Sequence, residues 1–179
     1  MAKKKKGQLR DIWRRLKKNR LSMFGLIVII VIILVAIFAD FIAPYPYDLQ
    51  NYSVAKQFPS KAYPFGTDNY GRDILSRVIY GTRVSLQIGF ISLTVGALIG
   101  TIFGTISGYF GGRTDTVIMR FTDILMSIPK VVLAIAVAST LGPGLVNAMI
   151  AVAISSIPNF ARVARASTLT VRDQEFIEA

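Results

Sequence analysis

The sequence predicts an all-α polytopic membrane protein. Of its 179 residues, 53% are hydrophobic, and the mean hydropathy of +0.51 lies well above that of an ordinary soluble domain. Two uncharged stretches, 21–39 and 84–112, are each long enough to cross about 30 Å of hydrocarbon as a helix. A helix satisfies its own backbone hydrogen bonds, so it is the structure expected for a stretch that lies in lipid.

The excess of positive charge is concentrated near the amino terminus. The chain has 21 Lys and Arg against 10 Asp and Glu, and residues 1–20 hold ten of the basic residues but only one acid, Asp11. Because this block adjoins an apolar run, we expect cytoplasmic retention and contact with anionic membrane lipid rather than nucleic acid. Apolar residues at helical spacing predict an amphipathic surface helix over 9–20, with a disordered basic tail as the alternative.

Several classes of site are excluded by residues that the chain lacks. It contains no Cys and no His, which excludes disulfides, thiolate nucleophiles, His-based metal sites and Ser-His-Asp catalysis within this sequence. Neither a phosphate-binding loop nor a dinucleotide fingerprint is present. We therefore expect a protein that is not an enzyme and that holds no cofactor or metal of its own.

The first span and the loop after it are predicted from a change in composition. Residues 21–42 are predicted to form transmembrane helix 1, kept as an uncleaved anchor because its apolar run exceeds the roughly 15 residues of a signal peptide. Residues 43–83 are rich in Pro, Tyr and charged side chains, which is too irregular for lipid. With the amino terminus in the cytoplasm, this loop is predicted to lie outside the cell.

The remaining residues, 84–179, contain three more predicted spans. These spans are expected at about 84–112, 117–140 and 145–163. This order returns the fourth span to the cytoplasm beside Arg162 and Arg165, as the positive-inside rule requires. The polar residues 167–179 are then predicted to lie on the cytoplasmic face.

Five glycines recur at every fourth position at the end of the second span. They are Gly96, Gly100, Gly104, Gly108 and Gly112. Because four residues turn a helix by about 400°, these glycines form one stripe that lets another helix backbone approach closely. We predict tight helix packing within the protein or against a partner subunit, and a stripe that also borders a moving pathway is compatible with it.

Two ionisable residues lie within the predicted third span. Asp123 and Lys130 are seven residues apart and would share one face of a continuous helix. A charge at mid-helix costs about 2.5–3.5 kcal/mol on insertion scales, so each requires a physical reason. Asp123 lies at the interface or faces a water-filled cavity, and Lys130, after Pro129, extends to the interface, pairs, or faces the pathway. Pro158 in the fourth span predicts a bend or a hinge.

Three long motifs carry a resemblance to a known family. They read PFGTDNYGRDILSRVIYGTRVSLQIG over 64–89, GYFGGRTDTVIMRFTDILMSIP over 108–129 and FARVARASTLTVRDQEFIEA over 160–179. Together they resemble the oligopeptide, dipeptide and nickel permease family of binding-protein-dependent ABC importers, specifically the second of the two permease subunits. The resemblance extends over nearly the entire chain.

The resemblance implies a type I ABC importer permease fold with six transmembrane helices, of which this sequence holds four. In the family, the loop after the fourth helix carries a coupling helix with the motif E-A-A, three residues, then Gly. Glu178 and Ala179 resemble its first two residues, and a chain ending there is not expected to transport by itself. The residues expected to couple to the ATPase are Arg172, Asp173, Glu175, Phe176, Ile177, Glu178 and Ala179.

An outside signature of the family lies before the second span. It comprises Gly66, Thr67, Asp68, Gly71, Arg72 and Asp73. We expect Thr67 or Asp68 to cap a helix beginning near Tyr70, with contact to a docked binding protein as the alternative role.

Function follows from the resemblance as an expectation. It implies a permease subunit in the cytoplasmic membrane that translocates di- or oligopeptides delivered by an extracytoplasmic substrate-binding protein. The implied partners are a homologous permease subunit and two ATPase subunits, which would hold ATP and Mg. Nickel or glutathione import is the alternative within the family, and a passive channel or a membrane scaffold is the alternative from another class.

Overall fold

The computed structural model describes residues 13–14 and 16–172. In this part of the chain there is no strand, only an isolated bridge between Thr67 and Asp73, and the predicted all-α class is confirmed. Of the segment predicted as a surface helix at 9–20, residues 9–12 and 15 lie outside the described residues, and residues 13–14 and 16–18 are helical. The main helices are α1 (Arg20–Ile37), α2 (Ala39–Ile42), α3 (Ile74–Phe110), α4 (Gly112–Ser127), α5 (Lys130–Leu141) and α6 (Leu145–Arg172).

Three of these helices, α1, α3 and α6, are each long and apolar enough to cross a membrane. The pair α4 and α5 passes the same test only when the two are taken together, and it is bent by 92° at the break between them. The described residues therefore contain three candidate spans, or four when the bent pair counts as one. The chain divides into two compact units, 1–86 and 87–179, which are described in turn.

The first unit begins with an almost uniformly aliphatic helix. Asn19 caps α1, because its side-chain oxygen accepts hydrogen bonds from the N–H groups of Leu21 at 3.0 Å and Ser22 at 3.3 Å. The 18 residues of α1 span about 27 Å at 1.5 Å per residue. Only Ala36 of this helix is buried within the chain. The predicted first span at 21–42 is divided between α1 and the short α2.

Arg83 of α3 binds the carboxyl end of α1. Its guanidinium donates to the carbonyl oxygens of Ala36 at 2.5 Å and Ile37 at 3.0 Å, and it pairs with Asp40 at 2.8 Å. A cation at this place satisfies carbonyls that have no partner within the helix and favours the negative end of the helix dipole. Arg83 thus joins the first two long helices of the chain.

The loop between α2 and α3 is organised around Asp68. Its carboxylate accepts hydrogen bonds from the N–H of Tyr70 at 2.8 Å and of Arg72 at 3.0 Å, and it pairs with the guanidinium groups of Arg72 and Arg77. Partial burial raises the pKa of Asp68, but the N–H groups of Arg72 and Tyr70 and the Arg72 guanidinium outweigh it and lower the pKa to about 2. The loop therefore has a defined structure.

Gly71 is required by a close approach within this loop. It has a positive φ of 72°, and a Cβ there would lie 1.7 Å from the carbonyl oxygen of Asn51. The N–H of Asn51 also donates to the carbonyl oxygen of Tyr70 at 3.2 Å. The segment near Tyr52 is thereby held against the signature segment.

The second long helix begins elsewhere than the sequence predicted. The expectation that Thr67 or Asp68 caps a helix near Tyr70 is wrong, because α3 begins at Ile74 and Asp73 accepts a hydrogen bond from the N–H of Ser76 at 2.8 Å. The helix also starts ten residues before the predicted span at 84–112. The predicted span began after Arg83, because this charged residue was taken as its boundary. In the structure the helix includes Arg83, whose charge is paired with Asp40.

The second unit contains a broken helix where one continuous third span was predicted over 117–140. α4 ends at Ser127 and α5 begins at Lys130. Ile128 has an extended backbone with ψ of 130°, as the ring of Pro129 requires of the residue before it. The proline therefore explains both the break and the 92° bend.

α6 is longer than the predicted fourth span at 145–163 and continues to Arg172. Pro158 lies buried within this helix without ending it. α6 packs against both α4 and α5 and carries seven buried residues, more than either of them.

Candidate translocation and coupling site

Four of the five glycines in the stripe lie against the backbone of α6. A Cβ on Gly96 would approach the carbonyl oxygen of Ala153 to 3.0 Å, and one on Gly104 would approach that of Ala161 to 2.2 Å. Gly100 and Gly108 have equally close neighbours on α6. No side chain larger than hydrogen fits between these two helices without moving them, which is the small-residue packing typical of membrane helices.

These contacts also fix the relative direction of the two helices. Gly96 lies opposite Ala153, Gly100 opposite Ile157 and Gly104 opposite Ala161, a constant offset of 57 residues. α3 and α6 are therefore parallel over at least 12 residues, or about 18 Å. Because α3 and α6 run in the same direction, the chain from the end of α3 has to cross back to the side on which α3 begins before α6 can start. The bent pair α4 and α5 makes that crossing.

Gly112 does not belong to this interface. α3 ends at Phe110, and Gly112 has a positive φ of 51° with no atom within 4 Å of its notional Cβ. The four-residue spacing continues past the helix by coincidence, because Gly111 and Gly112 form the turn into α4. The predicted stripe of five is corrected to four.

A partly buried ion pair lies beside the end of the glycine interface. Asp115 of α4 binds the guanidinium of Arg165 on α6 through two hydrogen bonds of 2.5 and 2.6 Å. The hydroxyl of Ser107 on α3 donates to the same carboxylate. Asp115 therefore joins three helices, and the bidentate geometry fixes their relative orientation.

Arg172 lies at the end of the described chain, next to this ion pair. Its guanidinium donates to the carbonyl oxygen of Gly108 at 3.1 Å, near the carboxyl end of α3. It is the only residue of the predicted coupling set that the structure describes. Asp173, Glu175, Phe176, Ile177, Glu178 and Ala179 lie outside the described residues.

Asp123 and Lys130 do not share a helix face, contrary to the sequence prediction. The break at Pro129 separates them, so that Asp123 lies on α4 and Lys130 begins α5. Asp123 pairs with Arg162 of α6 at 2.8 Å in an exposed position. Among the residues that the structure describes, Lys130 has no ion-pair partner.

Lys130 lines two adjoining cavities between the bent pair and α6. One, of about 370 Å³, is almost entirely aliphatic. The other, of about 210 Å³, also includes Pro129, Ser155 and Asn159. A cation, two uncharged polar side chains and an apolar wall therefore meet at the break, a combination typical of a binding pocket.

Comparison with known protein families identifies the family to which these helices belong. The family described as the binding-protein-dependent transport system inner membrane component matches residues 100–179, which include the ion pair, both cavities and three of the four glycines of the stripe. The N-terminal transmembrane domain of oligopeptide transport permease C matches residues 7–61. The chain belongs to the permease family of binding-protein-dependent transport systems. It is accordingly a multi-pass membrane protein.

Curated members of this permease family resemble the chain over most of its length. The dipeptide transport system permease protein DppC of Alkalihalophilus pseudofirmus is 45% identical over 170 residues, which is 95% of this chain and 56% of the relative. The DppC protein of Haemophilus influenzae is 42% identical over 178 residues, 96% of this chain and 60% of its own. The glutathione transport system permease protein GsiD of Escherichia coli is 46% identical over 172 residues, 94% of this chain and 56% of its own. The chain thus spans little more than half the length of these permeases.

Sequence reasoning missed the ion pair of this permease core. Asp115 and Arg165 are 50 residues apart, and no spacing rule connects them. One weak signal was present, because Asp115 is a lone acid in a basic stretch that follows the glycine stripe. Such an acid requires a cationic partner, and only the folded structure identifies it.

Proposed function

We propose that the protein is a permease subunit of an ATP-driven importer of di- or oligopeptides. The observation that carries the proposal is the 45% identity to a dipeptide permease over 95% of this chain. Substrate would be delivered by an extracytoplasmic binding protein. A homologous permease subunit would complete the pathway, and ATP and Mg would be bound by two separate ATPase subunits.

The described geometry supports this proposal in two ways. The parallel packing of α3 and α6 places the carboxyl ends of both helices on one side, together with Asp115, Arg165 and Arg172. The predicted coupling residues follow Arg172 directly. A force applied to them by an ATPase would reach both helices through this polar cluster. The basic amino-terminal block favours the cytoplasm for that side.

Glutathione import is the second candidate function. A specific observation favours it, since the glutathione permease of Escherichia coli is 46% identical to this chain over 172 residues. Glutathione is itself a small peptide, so both candidates share a substrate class. They differ in the binding protein that would deliver the substrate.

Assembly and coupling test the proposal together. The protein encoded by the complete gene is purified from detergent-solubilised membranes, and copurifying chains are identified. We expect a second permease and two ATPase chains, and we expect Glu178→Arg to weaken recovery of the ATPases while the second permease stays bound. Purification without any ATPase would contradict the importer function.

Substrate class is tested with the assembled transporter in proteoliposomes. We expect ATP-dependent uptake of a dipeptide in the presence of its binding protein. Uptake of glutathione but of no dipeptide would favour the second candidate.

A further inference from the structure

We propose that Lys130 and the two cavities beside it form an intramembrane subsite for a peptide carboxylate. The inference rests on the proposed import of peptides and names the chemical group that the pathway would recognise. Its starting point is a lysine that lies in a candidate span without an anionic partner among the described residues. A charge in such a place is costly and indicates a functional role.

The depth of Lys130 follows from its neighbours on α6. Lys130 and Ser155 line both cavities. Ser155 lies ten residues after the start of α6 at Leu145, about 15 Å along the helix, and seven residues, about 10 Å, before the charged Arg162. Both ends of that apolar segment are thus more than one helical turn away. Lys130 therefore lies beside the apolar part of α6, away from both of its ends.

The break in the helix exposes this lysine to the cavities. Even in a continuous helix, Asp123 would lie two turns, about 10 Å, from Lys130, which is too far for an ordinary helical ion pair. In the structure the two residues lie on different helices across a bend of 92°, and Asp123 is bound by Arg162. No carboxylate of the described residues therefore reaches the ammonium group, and an anion from outside the chain satisfies its charge best.

The cavity walls suit the rest of a small peptide. Ser155 and Asn159 offer hydrogen bonds beside the ammonium group, in the cavity of about 210 Å³. The larger cavity, of about 370 Å³, has walls of Val131, Ala134 and other aliphatic residues. A carboxylate bound by Lys130 would place an adjoining apolar side chain against this wall.

The experiment compares peptides that differ only in their anionic group. Uptake is measured in proteoliposomes that contain the complete transporter, with binding protein saturated by each peptide. The probes are alanyl-leucine, its carboxyl-terminal amide, and glutamyl-leucine amide, whose only carboxylate is on a side chain. The variants are Lys130→Met, Lys130→Arg and, as the matched control on α4, Arg120→Met, which neutralises another exposed cation.

We expect the unmodified transporter to prefer the free acid over the amide by about tenfold or more. Lys130→Met reduces that preference to within about twofold, whereas Lys130→Arg and Arg120→Met preserve it. If the transporter also prefers glutamyl-leucine amide, and Lys130→Met removes this preference as well, the subsite binds any carboxylate. If Lys130→Met removes only the preference for the main-chain acid, the subsite binds the peptide terminus. Equal reduction of all three peptides by Lys130→Met overturns the subsite.

Accessibility provides a second measurement, which leaves Lys130 intact. The 179 residues contain no Cys, so Ala134→Cys introduces a single thiol into the wall of the larger cavity. We expect an anionic, membrane-impermeant thiol reagent to modify this thiol, and free-acid peptide to slow that reaction at least fivefold during turnover. Arg120→Cys, at an exposed position of α4, is the control and gains no protection. An unreactive or unprotected thiol at position 134 overturns the proposal, and a complete transporter that takes up no peptide refutes the proposed function itself.

Discussion

α1 and α6 differ in which residues the protein buries. α1 is almost entirely aliphatic, yet only Ala36 is buried within the chain. α6 contains Ser, Asn and Arg, yet seven of its residues are buried, among them Ser155, Ser156 and Ala161. In water the more apolar helix would be the inner one. In lipid, close packing and hydrogen bonding drive association, so small and polar residues mark the interior and aliphatic residues face outward.

The largest effect is expected where α6 meets the glycine stripe. Gly104→Ala places a methyl group 2.2 Å from the carbonyl oxygen of Ala161, so the helices must separate. We expect a loss of about 1–3 kcal/mol from the free energy of unfolding, despite the better helix propensity of Ala. Thermal denaturation of the detergent-purified protein measures it.

Gly89→Ala is the matched control for that substitution. It changes the same residue type in the same helix, but no atom lies within 4 Å of the new methyl group. We expect a neutral effect or a gain of up to about 1 kcal/mol. Equal losses for Gly89→Ala and Gly104→Ala would contradict the close packing of α3 on α6.

Next in size is the ion pair between Asp115 and Arg165. Asp115→Asn removes a bidentate, partly buried pair whose side chains are 21% and 32% exposed. We expect a loss of about 1–3 kcal/mol, because Arg165 then keeps a desolvated charge with a weaker partner. A double-mutant cycle with Arg165→Gln isolates the coupling between the two residues.

The pair of Asp123 and Arg162 supplies the comparison on the same two helices. Its side chains are 53% and 54% exposed. An exposed pair contributes at most about 1 kcal/mol, so its double-mutant cycle should give a smaller coupling. A larger coupling energy for Asp123 and Arg162 than for Asp115 and Arg165 would show that burial does not determine which pair is stronger.

The loop around Asp68 is expected to respond to pH. The pKa of Asp68 is lowered to about 2 in the folded protein, from an ordinary value of 3.8. The stabilisation is thus complete above about pH 4 and is lost as the pH falls from 4 to 2. Hydrogen exchange of the loop amides should rise over that interval, and Asp68→Asn should remove the pH dependence. An unchanged profile in the variant would locate the titration elsewhere.

The smallest effect is expected on the outward face of α1. Ile30→Ala removes a side chain that is 46% exposed within the chain and lies in a candidate membrane span. We expect a change within about 0.5 kcal/mol. A loss of more than about 2 kcal/mol in the free energy of unfolding of the assembled complex, without such a loss in the isolated chain, would identify this face as a subunit interface.

The sequence predicted the features that depend on local composition. The aliphatic run of α1 and the glycine spacing of α3 each have a direct physical cause in neighbouring residues. The break at Pro129 was missed, because the apolar residues on both sides of it read as one continuous span. The start of α3 at Ile74 was missed because Arg83 was treated as a boundary, and its pairing with Asp40 is a tertiary fact. Likewise, Asp123 and Lys130 lie on different helices because of a bend at Pro129 that spacing along an ideal helix cannot represent.

The central claim is that α4 and α5 together cross the membrane, so that α3 and α6 run parallel. Single-cysteine variants of the complete protein, made in a cysteine-free background, test this claim. Arg113→Cys reports the junction of α3 and α4, and Pro143→Cys reports the junction of α5 and α6. Both are labelled with a membrane-impermeant maleimide in sealed vesicles of each orientation. We predict that the thiol at position 113 reacts only from the cytoplasmic side and the thiol at position 143 only from the opposite side. Reaction of both from the same side would make the bent pair a re-entrant loop and contradict the account.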